Sequence, residues 1–139
     1  MTLKGSPLSG SETEFVAEAR VGHLATTRAD TTPHVVPISP VLDLDRLLFA
    51  TETATVKVRN IRGNPAVAVS FDEYNEDWAL LKQVLLYGNA YFIESGPEFE
   101  RDRNLLYEKY PQYEGSSPIE EHDSVIVEIE IERASTWGF

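Results

Sequence analysis

The chain has 139 residues, 42% of them hydrophobic and 25% charged, which gives one domain a real core and is too short for two comfortable ones. Its 23 carboxylates against 12 lysines and arginines leave a net charge of −11, so nucleic acid and anionic membrane surfaces are repelled at long range. The lack of cysteine removes disulfides, thiolate zinc sites, iron–sulfur clusters and thiol nucleophiles, and points to a cytoplasmic protein stabilised by packing or oligomerisation. Neither a signal-like start nor a run of about 18 apolar residues is present, so neither secretion nor a membrane span is expected.

Residues 1–10 are rich in Ser, Gly and Pro and read as a flexible tail ahead of a single domain over 11–139. Ser11 and Glu14 have the spacing of a capping box, and Phe15, Val16 and Ala19 repeat at helical intervals, which predicts a short helix from about Ser11 to Arg20. Strands follow at Val21–Arg28, Pro33–Leu42 and Leu47–Thr51, separated by turns at Ala29–Thr32 and Asp43–Arg46. Pro33, Pro37 and Pro40 have no N–H to give to a ladder, so the second strand has to be an edge, bulged or discontinuous. Thr55–Gly63, with Val58 and Ile61 three apart and Gly63 and Pro65 at its end, reads as a two-turn helix.

In Ala66–Phe71 bulky Val67, Val69 and Phe71 alternate with Ala66, Ala68 and Ser70, a taper that suits a small barrel. Asp72–Asp77 is an acidic turn, and Trp78–Ile93 is mostly strand, bent or broken at Gly88–Asn89. Pro97–Tyr110 places Phe99, Leu106 and Tyr110 on one helical face and ends at Pro111. In the last strand Val125, Val127, Ile129 and Ile131 alternate with Ile126, Glu128, Glu130 and Glu132, which gives it one buried and one wet face. The total is mainly β with flanking helices: about six antiparallel strands and three helices in a barrel-like sheet.

Chemistry is concentrated at one place. Lys57, Arg59 and Arg62 lie within six positions at the start of the second helix, preceded by Thr51, Thr53 and Thr55. A helix N-terminus offers unpaired N–H groups and partial positive charge, so a lysine and hydroxyls there make a phosphate site. The alternative is a Thr55 N-cap beside a solvated basic face, and the acidity of the rest of the chain tips the balance to a site, with Lys57 exposed in the free protein. His23, His34 and His122 have no metal-ligand spacing, and no metal is expected. There is no G-x-S-x-G elbow, which argues against a serine hydrolase, and the carboxylates at Asp72–Glu73 and Glu76–Asp77 read as surface.

From Phe15 to Phe139 the chain resembles the pyridoxamine-phosphate-oxidase-like flavin split barrels. Lys57-Val58-Arg59-Asn60-Ile61-Arg62-Gly63-Asn64-Pro65-Ala66-Val67-Ala68-Val69 looks like that family's K-x-x-N-I-x-x-N-P-x-V-x-V block. His23–Thr27, Pro33–Ile38 and Leu48–Thr51 resemble its first three strands, and Gln83–Ala90 the strand in which a glutamine approaches the flavin. Asp72–Trp78, Tyr110-Pro111-Gln112-Tyr113 and Trp137 are similar to a branch that depends on a deazaflavin coenzyme.

The resemblance implies a six-stranded antiparallel split β-barrel of the FMN-binding type, a homodimer with the cofactor site at its interface. In it Lys57 contacts the ribityl phosphate, with Thr51, Thr55 and Asn60 supplying hydrogen bonds. Val36, Pro37, Ile38 and Ser39 run along the ring and offer main-chain groups that the prolines leave outside the ladder. Gln83 reaches the ring from the neighbouring strand, and Trp137 packs beside it from the second chain, unless it is an ordinary interface aromatic. The cofactor carries the chemistry, so no catalytic residue is assigned; His34 is the one candidate proton donor by strand position, and a structural histidine with its hydrogen bonds satisfied is the favoured reading of it.

Two departures bear on substrate. His34 and Val56 stand where the true oxidases place arginines, and the chain has no R-L-H-type segment for pyridoxal phosphate. The implied activity is therefore an FMN-dependent oxidoreductase acting on a small organic substrate other than pyridoxamine phosphate, with a separate electron donor. The alternatives are a reductase using deazaflavin coenzyme F-420, with Arg59 and Arg62 along its anionic tail, and a non-enzymatic flavin or haem carrier or stress protein.

Overall fold

The computed structural model describes residues 6–139. In chain order they form α1 (Gly10–Glu18), β1 (Gly22–Thr27), β2 (Pro33–Ile38), β3 (Val41–Asp43), β4 (Arg46–Glu52), α2 (Val56–Gly63), β5 (Ala66–Glu73), β6 (Lys82–Ile93), α3 (Gly96–Lys109), α4 (Gln112–Ser116) and β7 (Ser124–Trp137). The strands make one antiparallel sheet in the order β2-β1-β5-β6-β7-β4-β3. Its two edges, β2 and β3, are neighbours in the chain, joined by Ser39 and Pro40 alone. Three Cα steps reach no more than about 11 Å, so the sheet has to curl until its edges face each other. No ladder joins them, and the barrel stays split along that seam.

Seven strands replace the expected six because the run Pro33–Leu42 is cut at Ser39–Pro40, where the chain crosses from one sheet edge to the other. Pro40 has no N–H for a ladder, and its carbonyl accepts hydrogen bonds from the end of α3. β2, with Pro33 and Pro37, pairs only with β1 and is the edge those prolines require.

Other boundaries move for local reasons. The capping box is Ser9 with Glu12: the Ser9 hydroxyl accepts from the Glu12 N–H at 3.3 Å and the Glu12 carboxylate accepts from the Ser9 N–H at 2.8 Å. The expected tail over 1–10 thus gives Ser9 and Gly10 to α1, while residues 1–5 lie outside the described part. Asp72 and Glu73 extend β5, and Trp78–Leu80 is a 3₁₀ turn capped by the Asp77 side chain, so β6 begins only at Lys82. β6 is one strand with a register shift against β7 at Tyr87/Gly88, where a Cβ on Gly88 would run into the Glu130 carbonyl. The short α4 follows Pro111, a fourth helix that the apolar periodicity does not signal.

The core has two parts. Leu24, Phe49, Phe71, Leu86, Val127 and Ile129 fill the barrel, with Val16 of α1 and Ile61 of α2 as plugs. Outside the barrel wall, Phe99 and Leu106 of α3 pack with Leu48, Ile119 and Ile126. Ile126 is therefore buried on the face of β7 expected to be wet, because α3 covers that end. α3 is also held by charge: Arg46 donates to Asp102, which has no exposed surface, at 2.9 and 3.2 Å, and to Asp43 and Glu128.

Candidate functional site

β4 delivers Ala50 and Thr51 to the rim of the barrel, and a three-residue connection carries the chain into α2. Thr55 occupies the N-cap position but donates its hydroxyl to the Glu52 carbonyl at 3.3 Å, and no side chain caps the helix. The first turn of α2 contains no acidic residue, so its N–H groups and the positive end of its dipole are open to an anion. Lys57 stands on that turn.

Lys57 is half-buried, not exposed as expected. It forms no ion pair or side-chain hydrogen bond among the described residues, and burial pushes its pKa below the usual lysine value, only partly opposed by Glu52. An ammonium desolvated without a partner is paid for elsewhere in the fold, and an anion beside it would recover the lost interaction.

The hollow at this lysine, about 290 Å³, is lined by Val21, Pro37, Ile38, Ser39, Ala50, Thr51, Lys57 and Tyr113. Five of the ten candidate residues thus meet at one place. Val36 lies just behind them on β2, paired with Leu24. Among the described residues the outer edge of β2 has no strand partner, which leaves main-chain groups beside the hollow for another use.

The remaining candidates lie apart. Asn60 is buried and donates to the Thr26 hydroxyl at 3.0 Å. It borders not the Lys57 hollow but a larger cleft, about 820 Å³, lined by Arg28, Thr31, Val56, Arg59 and Asn64 among others. Gln83 and Trp137 face each other across the β6–β7 ladder. Gln83 donates to Ser70 at 3.1 Å, Ser70 pairs with His23, and His23 pairs with Pro37 at the hollow. A track on the outer surface of the sheet therefore runs from the Lys57 hollow to Gln83 over three strand spacings, about 14 Å.

The small residues Ala25, Ala68 and Ser70 lie on that surface, with Val35 60% and Trp137 59% exposed at its flanks. His34 belongs to the inner side, opposite Thr26 in the ladder, and its Nδ1 is buried without a partner. Arg59 lines the larger cleft, but Arg62 does not: it pairs with Glu94 at 3.1 Å and stacks on Phe92.

Sequence reasoning missed Tyr113 as a site residue. It lines the Lys57 hollow and two adjoining ones, of about 290 and 180 Å³, and burial raises its pKa. Its ring packs at 6.1 Å from Tyr110 and 6.3 Å from Tyr107. The Tyr110-Pro111-Gln112-Tyr113 run was the available signal, but only the fold shows that a five-residue helix turns the second tyrosine towards β4 and α2.

The chain matches the family model described as pyridoxamine 5′-phosphate oxidase over residues 11–138. An FAD-binding protein from Mesorhizobium loti superposes with a TM-score of 0.77 at 25% identity, over 93% of this chain and 92% of that one. An F-420 reductase superposes at 0.73 and 25% identity, over 92% and 98%. A haem-binding protein from Mycobacterium smegmatis shares the fold at 0.76 and 17% identity, over 89% of this chain and 51% of that one. No curated protein matches the chain.

Proposed function

Because the chain belongs to the pyridoxamine 5′-phosphate oxidase family, whose members are flavin-binding split barrels, we propose that it binds flavin mononucleotide and acts as an oxidoreductase on a small organic substrate other than pyridoxamine phosphate. The observation that carries this reading is Lys57, a half-buried cation without a partner on an uncapped helix start, in one hollow with Thr51 and Pro37–Ser39. That donor set fits a phosphate next to a flat, polar-edged ring. The ammonium and the α2 N–H groups take the dianion, Thr51 offers a hydroxyl, and the open edge of β2 offers main-chain groups. Bound flavin supplies hydride transfer, and the protein binds it, orients it and limits water.

The site is completed by a second copy of the chain. The outer sheet surface with Val35, Ala25, Ala68, Tyr87 and Arg133 in one row, and Gln83 and Trp137 beyond it, is the two-fold interface. Val35→Glu places a charge on its exposed flank, and sedimentation is expected to show a monomer where the wild type is a dimer. A dimer in both proteins would move the interface elsewhere.

One observation favours a second reading. Arg28 and Arg59 line the larger cleft across α2 from Lys57 against a single carboxylate, Asp30, and such a cleft suits the longer anionic tail of deazaflavin coenzyme F-420. The deciding experiment is the visible spectrum of the purified protein with mass determination of any chromophore released by heat, followed by titration of colourless protein with both coenzymes. Flavin mononucleotide supports the first reading and the deazaflavin the second; haem would make the chain a carrier, and binding of none would overturn both.

A further inference from the structure

The seam between β2 and β3 is held by an unusual cation. Lys109, the last residue of α3, donates to the Ala19 carbonyl at 2.7 Å and the Pro40 carbonyl at 2.8 Å, 90 and 69 residues away. Tyr110 places its hydroxyl at 2.9 Å from the same Pro40 oxygen and 3.1 Å from the Arg20 carbonyl. Arg20 returns the contact, donating to the Lys109 carbonyl at 3.1 Å with its guanidinium 4.4 Å from the Tyr110 ring centre. A lysine that merely capped its own helix would use the last carbonyls of that helix; this one ties together the α1–β1 linker and the two-residue link between the two edges of the split barrel.

Lys109 forms no ion pair among the described residues. The charged or titratable groups packed against it are Arg20 from the α1–β1 linker and Tyr110 at its own helix end, with Tyr113 beyond on α4. The β2–β3 link contributes only its carbonyl. Burial and the like charge of Arg20 lower the Lys109 pKa to about 8.

Pro40 adjoins Ser39, and Ser39 lines the Lys57 hollow. We propose that Lys109 is a positioning residue of that hollow, fixing the Ser39–Pro40 link through the Pro40 carbonyl and placing an uncompensated positive charge behind the wall, which strengthens binding of an anionic ligand. The inference rests on the flavin reading above and adds to it a second cation that does not touch the ligand.

Proton loss separates the two parts of this role. A neutral amine still has two N–H donors for the two carbonyls, so geometry survives while charge is lost. The test is flavin mononucleotide affinity, read by fluorescence quenching at pH 6.5 and pH 9 in wild type, Lys109→Met and Lys109→Arg, with circular dichroism to verify folding. Wild type is expected to bind on the order of fivefold more tightly than Lys109→Met at pH 6.5, with that ratio falling at pH 9 to the smaller part that the carbonyl contacts alone contribute. Titration of Lys57 and of the ligand is common to both proteins and cancels in the ratio. Lys109→Arg, charged throughout, should lose the part of the pH dependence that Lys109 causes, and that arm decides the matter if Lys109→Met does not fold. A ratio that is flat with pH, or a Lys109→Arg profile identical to wild type, overturns the charge role while leaving the flavin reading intact; wild type that binds no flavin at either pH overturns both.

Discussion

Arg46 and Lys57 are both cations drawn partly out of water at opposite ends of the β4–α2 segment, and they differ in company. Arg46, 17% exposed, meets Asp43, Asp102 and Glu128, and every contact it makes is internal. Its three carboxylates keep it firmly protonated against the desolvation that would lower its pKa. Lys57 has no such partner, and burial has lowered its pKa. The first arrangement fastens α3 to the barrel, and the second leaves an attraction unused in a hollow open to solvent. A desolvated charge that the fold has already neutralised is structural, and one that it has not is where a ligand of opposite charge gains most.

That contrast predicts opposite results from similar substitutions. Arg46→Met strands Asp102, which has no exposed surface, beside only the more exposed Arg101, and is expected to cost about 3 kcal/mol or more in urea unfolding. Lys57→Glu should leave the unfolding midpoint close to wild type, since no internal partner is lost, while flavin mononucleotide affinity falls at least about a hundredfold from removing one charge-assisted contact and adding a repulsion. A large stability loss in Lys57→Glu, or unaltered flavin binding, would erase the distinction.

A smaller effect concerns pH. The Lys109 pKa is about 8 in the fold against 10.5 for an ordinary lysine, so the unfolded chain binds more protons between those values and stability from this residue rises as pH goes from about 8 to about 10.5. Tyr110 acts in the opposite sense at higher pH: raised from 10.0 to about 12, it contributes stability below pH 10 that is lost as pH climbs towards 12. Thermal unfolding followed from pH 7 to pH 10 should therefore show wild type gaining on Lys109→Met, and parallel curves would remove the assigned cause.

The Lys57 hollow could be read from residues because its parts are local: a lysine two positions after a threonine at a helix start, and a proline-marked strand that had to be an edge. The seam was not, because the chain keeps its extended character from Pro33 to Leu42 and only the α3 side chains that seize the Pro40 carbonyl reveal that two strands, at opposite edges, are involved. Tyr113 was missed for a similar reason, since five residues of α4 carry no apolar period. Ile126 looked like part of a strict alternation, but β7 passes under α3 at that point, and a strand covered on both sides does not alternate.

The smallest expected effect is also the sharpest test of charge location. Arg59 and Arg62 are three apart on α2 and looked equivalent in sequence, yet Arg59 lines the cleft with Arg28 whereas Arg62 is turned to Glu94 and Phe92. The Arg62–Glu94 pair is more than half exposed on both sides, and such pairs contribute about 0–1 kcal/mol. Arg62→Ala is therefore expected to shift stability by no more than about 0.5 kcal/mol and to leave binding of either coenzyme unchanged. Arg59→Glu should weaken a deazaflavin with an anionic tail about tenfold while affecting flavin mononucleotide little, because the shorter ligand ends at Lys57. Calorimetric titration of the two variants with both coenzymes reads this directly. Equal losses from both substitutions would mean that the field of the helix as a whole, rather than the cleft beside Arg28, governs the longer ligand.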